Sequence, residues 1–389
     1  MMIPASEPRT PRDAARLIVL QTDRGVHEDA LVTDLPRFLN AGDLVIVNDA
    51  ATLPASLRAR TSAGQPVEVR LVNQRDDSRW LAVLFGSGDW RTPTEFRDPP
   101  PRVGEGEILV IGENFHAQVE EVSSKSARLV TLRLNRTGPA LWSALYAYGK
   151  PIQYSHLKAD HSLWSFQTVY ATRPWAVEMP SAGEPLSWRT LLALRRRGVR
   201  ISYLTHSAGL SSTGDEELDM ALPLPERFDI PSSTADEIEE AHRHGSRVVA
   251  VGTTVVRALE GSALQHSGRV HPGPGETDLV IGSSFQPAIV DALLTGIHEP
   301  SQSHFRILRA FADEALLRSA WRHAAQTGYL THEFGDLCLI LGARRLPSSA
   351  GGGVAEGRGG VVEKFPDHTT TSARTNEASR LFRDRATKS

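Results

Sequence analysis

The sequence predicts an α/β fold: a covered sheet, mainly parallel or mixed, interrupted by a small antiparallel β-barrel and followed by a disordered C-terminal tail. Three observations lead there. Short, fully apolar runs at 44–47 and 248–251 alternate with amphipathic helical segments, the pattern of strands buried on both faces. From about 57 to 134 the pattern changes to short alternating runs split by Gly, Pro and Asp turns, as in an all-β insert. After Pro347, Gly, Ser, Arg and Thr dominate and apolar residues are sparse, so that stretch has little surface to bury. The implied division is residues 1–56 plus 147–346 as a discontinuous α/β domain, 57–146 as the barrel and 347–389 as the tail.

Taken in order, residues 12–49 read as strand (17–20), turn, short helix (34–39) and strand (44–47). Asn48 and Asp49 end that last strand, where open α/β sheets place ligand groups. The barrel strands are expected at 67–72, 80–85, 107–111, 117–121 and 127–134, with a Pro-rich exposed loop at 92–102. Helices are expected at 188–197 and 233–244, each stopped by a glycine (Gly198, Gly245) and followed by a strand at 199–204 or 247–251. Gly252 breaks the second strand. Thr253 and Thr254 are read as N-cap residues of a helix carrying Val256, Leu259 and Ala263 on one face. Strands at 279–281, 291–294 and 336–341, and a long helical segment at 305–328, complete the α/β pattern.

Composition sets outer bounds. A 389-residue chain with 40% hydrophobic and 23% charged residues fits a globular protein. No apolar run approaches the roughly 20 residues that span a bilayer, so no membrane partner is expected. Residues 1–16 lack the apolar centre of a secretory signal, and a cytoplasmic location is the expectation. A single cysteine, Cys338, excludes an internal disulfide and a cysteine-based metal cluster. The net charge of −3 gives no bulk signal for nucleic acid, and the basic cluster Arg195-Arg-Arg197 with Arg200 reads as a solvated helix end.

The residues with chemistry cluster at predicted strand ends. A strand–Gly-Thr-Thr–helix turn offers backbone N–H groups and two hydroxyls at the positive end of a helix, a seat for an anionic or polar ligand group. Arg257 and Glu260 follow on that helix and are placed to reach back to it. His206 follows the 199–204 strand, and His298 follows 291–294. If these strands are parallel neighbours, their ends gather His206, Thr253, Thr254 and His298 in one crevice. Glu276, Thr277 and Asp278 precede a predicted strand and join only if it runs the other way. There is no Gly-x-Ser-x-Gly elbow and no His-Glu-x-x-His zinc motif. His242 and His244 read as helix-end residues, and His266 and His271 as loop residues.

Taken together, these blocks resemble the S-adenosylmethionine:tRNA ribosyltransferase-isomerase family of queuosine biosynthesis. The resemblance rests on Arg12-Asp13 with Arg16-Leu17, Asp34-Leu-Pro-Arg-Phe-Leu-Asn-Ala-Gly-Asp-Leu-Val-Ile-Val-Asn-Asp49, Phe166-Gln-Thr-Val-Tyr-Ala171, and the segment from Arg247 to Glu260. It continues through Gly275-Glu-Thr-Asp-Leu-Val-Ile281, Asp291-Ala-Leu-Leu-Thr295 with His298 and Pro300, and Gly335-Asp336. It implies an α/β domain interrupted by a β-barrel. The implied reaction transfers and rearranges the ribosyl group of S-adenosylmethionine on a tRNA wobble base, with S-adenosylmethionine as co-substrate, tRNA as partner and no metal required. It implies His206, His298 and Glu226 as catalytic residues. Asn48, Asp49, Thr253, Thr254, Arg257, Glu260, Glu276, Thr277 and Asp278 are implied as ligand holders. Departures from the family pattern fall in polar loops: Ala51 stands where the family has Arg, and Pro185 and Leu224 where it has His. They leave open a paralogue acting on a small-molecule substrate in place of tRNA, or an inactive binding protein.

Overall fold

The computed structural model describes residues 2–300 and 302–342; the tail expected at 347–389 lies outside them. A nine-stranded sheet organises the larger part. Its order is Gly273–Thr277, Glu226–Ile230, Arg200–His206, Leu44–Asn48, Val248–Val251, Ala292–Gly296, Leu337–Leu341, Arg16–Gln21 and Val26–Leu31. The four central strands, from Arg200–His206 to Ala292–Gly296, are mutually parallel. Leu337–Leu341 runs antiparallel to Ala292–Gly296, and Arg16–Gln21 runs parallel to Leu337–Leu341. On the other side, Glu226–Ile230 is antiparallel to Arg200–His206. The sheet is therefore mixed. One of its edges collects the carboxyl ends of the central strands together with the amino ends of Glu226–Ile230, Leu337–Leu341 and Arg16–Gln21.

The apolar runs are explained by two cores. Leu44 and Ile46 pack with Val248, Ala250, Leu293 and Ile340 against the helices Ser232–Arg243, Thr253–Gln265 and Glu314–Gln326. Val45 and Val47, one residue out of step, pack with Val249, Val251, Leu294 and Leu339 against Trp188–Arg196 and the 3₁₀ turn Val32–Arg37. A strand with period two and both faces covered must be apolar throughout. Each such side chain contributes about 1.5–3 kcal/mol on burial.

Six antiparallel strands form the barrel: Ser56–Arg60, Pro66–Gln74, Arg79–Phe85, Leu129–Leu134, Phe115–Val122 and Ile108–Gly112, in that spatial order. It closes through Arg60 and Val110. Its interior is a separate core built on Val69, Leu71, Ala82, Leu84, Leu109, Phe115 and Leu132. The short strand Gly149–Lys150 pairs antiparallel with Ser56–Arg60, so the chain leaves for the barrel and returns from it side by side.

Several expectations need correction. The segment read as one helix at 305–328 is two, Ser303–Leu308 and Glu314–Gln326, because Asp313 caps the second by accepting the Ala315 N–H. No strand forms at 279–281; the strand is Gly273–Thr277, so Glu276 and Thr277 end a strand rather than precede one. The 34–39 segment is 3₁₀, with Pro36 inside it. The helix Gly138–Tyr148, not anticipated, covers the barrel with Leu141, Ala144 and Leu145. Among the described residues, no helix is long and apolar enough to cross a membrane.

Candidate functional site

The crowded sheet edge gathers the candidate residues. Asn48 ties three strand ends together. Its Oδ1 accepts the His206 N–H at 2.9 Å and the Ala50 N–H at 3.1 Å, and its Nδ2 donates to the His206 carbonyl at 3.0 Å and to Thr254 Oγ1 at 3.3 Å. Asp49, also buried, accepts from Thr205 Oγ1 at 2.6 Å and from Thr172 Oγ1 at 2.7 Å. Thr253 and Thr254 are the first residues of their helix rather than its cap. Gly252 holds the N-cap position at φ +91°, and no side chain caps it. A residue with a Cβ is strained at that φ, so the turn leaves both hydroxyls free for other partners, and Thr254 uses its own for Asn48.

Beside them lies a buried acid–base set. His206 is fully buried, and neither ring nitrogen has a hydrogen-bond partner among the described residues. Its Nε2 is 3.5 Å from Glu226 Oε2. Glu226 accepts the Gly209 N–H at 2.9 Å and pairs with the Arg257 guanidinium. Burial, then the Arg257 charge, holds the His206 imidazole well below its ordinary value. Burial pushes the Glu226 carboxyl up, and Arg257 opposes it. Arg257 also acts on His304, which burial and that charge together bring down to about 4. The His304 ring stacks on His298 with centroids 4.9 Å apart and planes at 15°. His298 Nε2 is 3.1 Å from Thr295 Oγ1, and burial, followed by His304 and His332, holds it well below its ordinary value.

Other expected ligand holders stand apart. Glu260 lies two turns down the helix from Thr253, about 10 Å along its axis. Its carboxylate accepts the N–H groups of Ala288, Ile289 and Val290 at 2.8, 3.0 and 2.9 Å. Those residues lead into the amino end of Ala292–Gly296, so Glu260 serves the opposite edge of the sheet and the expectation that it reaches back to the turn is corrected. Glu276 is exposed and lies 3.7 Å from Arg75, and Asp278 is exposed as well. Thr277 is buried, and its Oγ1 accepts the Leu279 N–H at 3.1 Å.

Some residues at this edge gave no local sequence signal. Glu184 is buried with its carboxylate 3.8 Å from Arg12 Nε; burial raises its pKa to about 7 against the opposing charges of Arg12 and Arg9. Gly183 beside it packs so closely that a Cβ there would fall on the Tyr170 hydroxyl. His304 lies just before the segment read as helical at 305–328 and carries no motif of its own. Its partners Arg257 and His298 come from other elements.

Chemically, this is a mixed α/β scaffold whose strand ends present a neutral imidazole, a carboxyl with raised pKa and a guanidinium within one buried cluster. Its relatives give it a family. The sequence pattern of the queuosine biosynthesis proteins matches residues 2–340, and the chain belongs to that family. The S-adenosylmethionine:tRNA ribosyltransferase-isomerase of Parvibaculum lavamentivorans is 33% identical, covering 87% of this chain and 95% of its own. The protein of the same name from Thermosynechococcus vestitus is 32% identical over 87% of this chain and 92% of its own. The solved S-adenosylmethionine tRNA ribosyltransferase of Thermotoga maritima is 25% identical and covers 87% of this chain and 96% of that one, with a TM-score of 0.48, a likeness too loose to add to the fold described above.

Proposed function

We propose that the protein is an S-adenosylmethionine:tRNA ribosyltransferase-isomerase that forms epoxyqueuosine at the tRNA wobble position in the cytoplasm. The carrying observation is the His206–Glu226–Arg257 cluster, in which burial drives the histidine toward its neutral form and the carboxyl toward its protonated one. Titratable neighbours pushed in opposite directions mark acid and base roles. The sulfonium of S-adenosylmethionine acidifies the adjacent carbon, and a neutral imidazole such as His206 or His298 is suited to take that proton. Adenine leaves more readily when protonated, and Glu226 is suited to give the proton. Asn48, Asp49, Thr253, Thr254 and Arg257 would frame the nucleoside. Residues 1–56 with 147–346 would hold S-adenosylmethionine, with 57–146 as an appended barrel.

Apart from the substitutions at Ala51, Pro185 and Leu224, no observation favours the small-molecule or inactive-protein alternative. The test is adenine release, followed by chromatography, from S-adenosylmethionine with and without tRNA carrying the aminomethyl-deazaguanine base. Release that requires the tRNA, and falls about 100-fold or more in His206→Gln, is the expected result. Absence of adenine with active-quality tRNA overturns the proposal.

A further inference from the structure

A second polar cluster lies on the same sheet edge but outside the His206 set. His156 comes from the chain returning from the barrel, while His332 and Glu333 precede the strand Leu337–Leu341. One ligand-type atom from each of the three lies within 4.8 Å of the others. His156 Nε2 is 2.7 Å from Glu333 Oε2. The rings of His156 and His332 face each other with centroids 4.3 Å apart. His332 holds φ +68°, a left-handed backbone that histidine adopts only occasionally.

We propose that His156, His332 and Glu333 bind one divalent transition-metal ion of the zinc class. Two imidazoles and one carboxylate form the donor set that zinc uses where a position is left open for water or a substrate atom. Donors around a tetrahedral zinc sit roughly 3.4 Å apart given bonds near 2.1 Å. His156 Nε2 and Glu333 Oε2 are 2.7 Å apart, closer than that value, and every donor pair lies within 4.8 Å, so an ion would draw the three groups around it by side-chain rotation. The imidazoles favour zinc over magnesium or calcium, which prefer oxygen donors. The proposal is independent of the reaction proposed above.

The test uses the untagged full-length protein, stripped with a chelator. Zn²⁺ is titrated by calorimetry and Co²⁺ by its visible ligand-field absorption. The expected result is one equivalent bound with micromolar or tighter affinity. Glu333→Gln, of equal size, and His332→Asn, which tolerates the left-handed backbone, should each weaken binding by about 100-fold with unchanged circular dichroism. His266→Ala, at the stacked His266–His271 pair elsewhere, should leave binding unchanged. If His332→Asn fails to fold, Glu333→Gln alone decides. Absence of one-site binding in the native protein, or native affinity in Glu333→Gln, overturns the proposal. Loss of binding in His266→Ala also overturns it, because the ion would then sit at the other pair.

Discussion

Replacing Arg257 with Met removes the only Lys or Arg paired with Glu226 among the described residues and leaves the buried carboxylate with the Gly209 N–H as its hydrogen-bond donor there. Breaking a buried ion pair from one side costs about 3–5 kcal/mol. The carboxyl can reduce that cost by taking up a proton, and this sets the pH dependence. Burial already holds Glu226 above the ordinary 4.5, with Arg257 pulling it back down; without Arg257 it rises further. A carboxyl with a raised folded-state pKa gives stability that is fully present below its unfolded value and is lost as pH rises through its folded one. The deficit of Arg257→Met against the native protein should therefore be small near pH 5 and reach its full size near pH 8. Adding Glu226→Gln removes the charge itself, so Arg257→Met/Glu226→Gln should recover about 2–4 kcal/mol relative to Arg257→Met at pH 8. Urea midpoints at the two pH values, read by tryptophan fluorescence, measure this. An equal deficit at both pH values, or a double variant as unstable as the sum of the singles, would refute the assigned pairing.

Other expectations can be checked separately. Glu260→Ala removes the carboxylate that accepts from the Ala288, Ile289 and Val290 N–H groups, the last two of them buried, costing about 3–5 kcal/mol in total; hydrogen exchange should quicken at Ile289 and Val290, and the KM for S-adenosylmethionine should stay unchanged because that edge is remote. Gly183→Ala drives a Cβ into the Tyr170 hydroxyl and should lower the melting temperature, and Tyr170→Phe should restore part of the loss. His304, near 4 in the folded state against an ordinary 6.5, loses the protein on the order of 2–3 kcal/mol as pH falls from 6.5 to 4; His304→Leu should flatten that acid limb in urea titrations. Asn48→Asp keeps the shape but turns a carboxylate toward the His206 carbonyl, and it should cost about 2–4 kcal/mol of stability.

The strands at the centre of the sheet were readable because both faces are covered, so Leu44–Asn48 and Val248–Val251 carry continuous apolar runs. Val26–Leu31, at the sheet's rim, has mostly solvent-facing side chains and reads as loop. The break between Ser303–Leu308 and Glu314–Gln326 did have a signal, Asp313 followed by Glu314 and Ala315, which helical periodicity concealed. The site was partly legible. Strand ends located His206, Asn48 and the Gly-Thr-Thr turn, but strand direction decides whether neighbours share an edge, and apolar runs do not encode direction. Glu260 was misplaced because sequence distance from the turn ignores that a helix carries its later residues away at 1.5 Å each. His156 and Glu333 meet across 177 residues, a closeness no local pattern carries.

The antiparallel pairing of Gly149 with Leu57 and Lys150 with Ser56 means that the barrel hangs from a two-stranded stem. The ends of the excursion are already bonded to each other, so its length imposes little on the sheet beneath. Barrel loops can grow, shrink or change sequence over evolutionary time while the stem keeps the same footprint. A closed barrel also presents no free strand edge to neighbouring molecules, which lets its outer surface be rewritten with little risk of edge-to-edge aggregation.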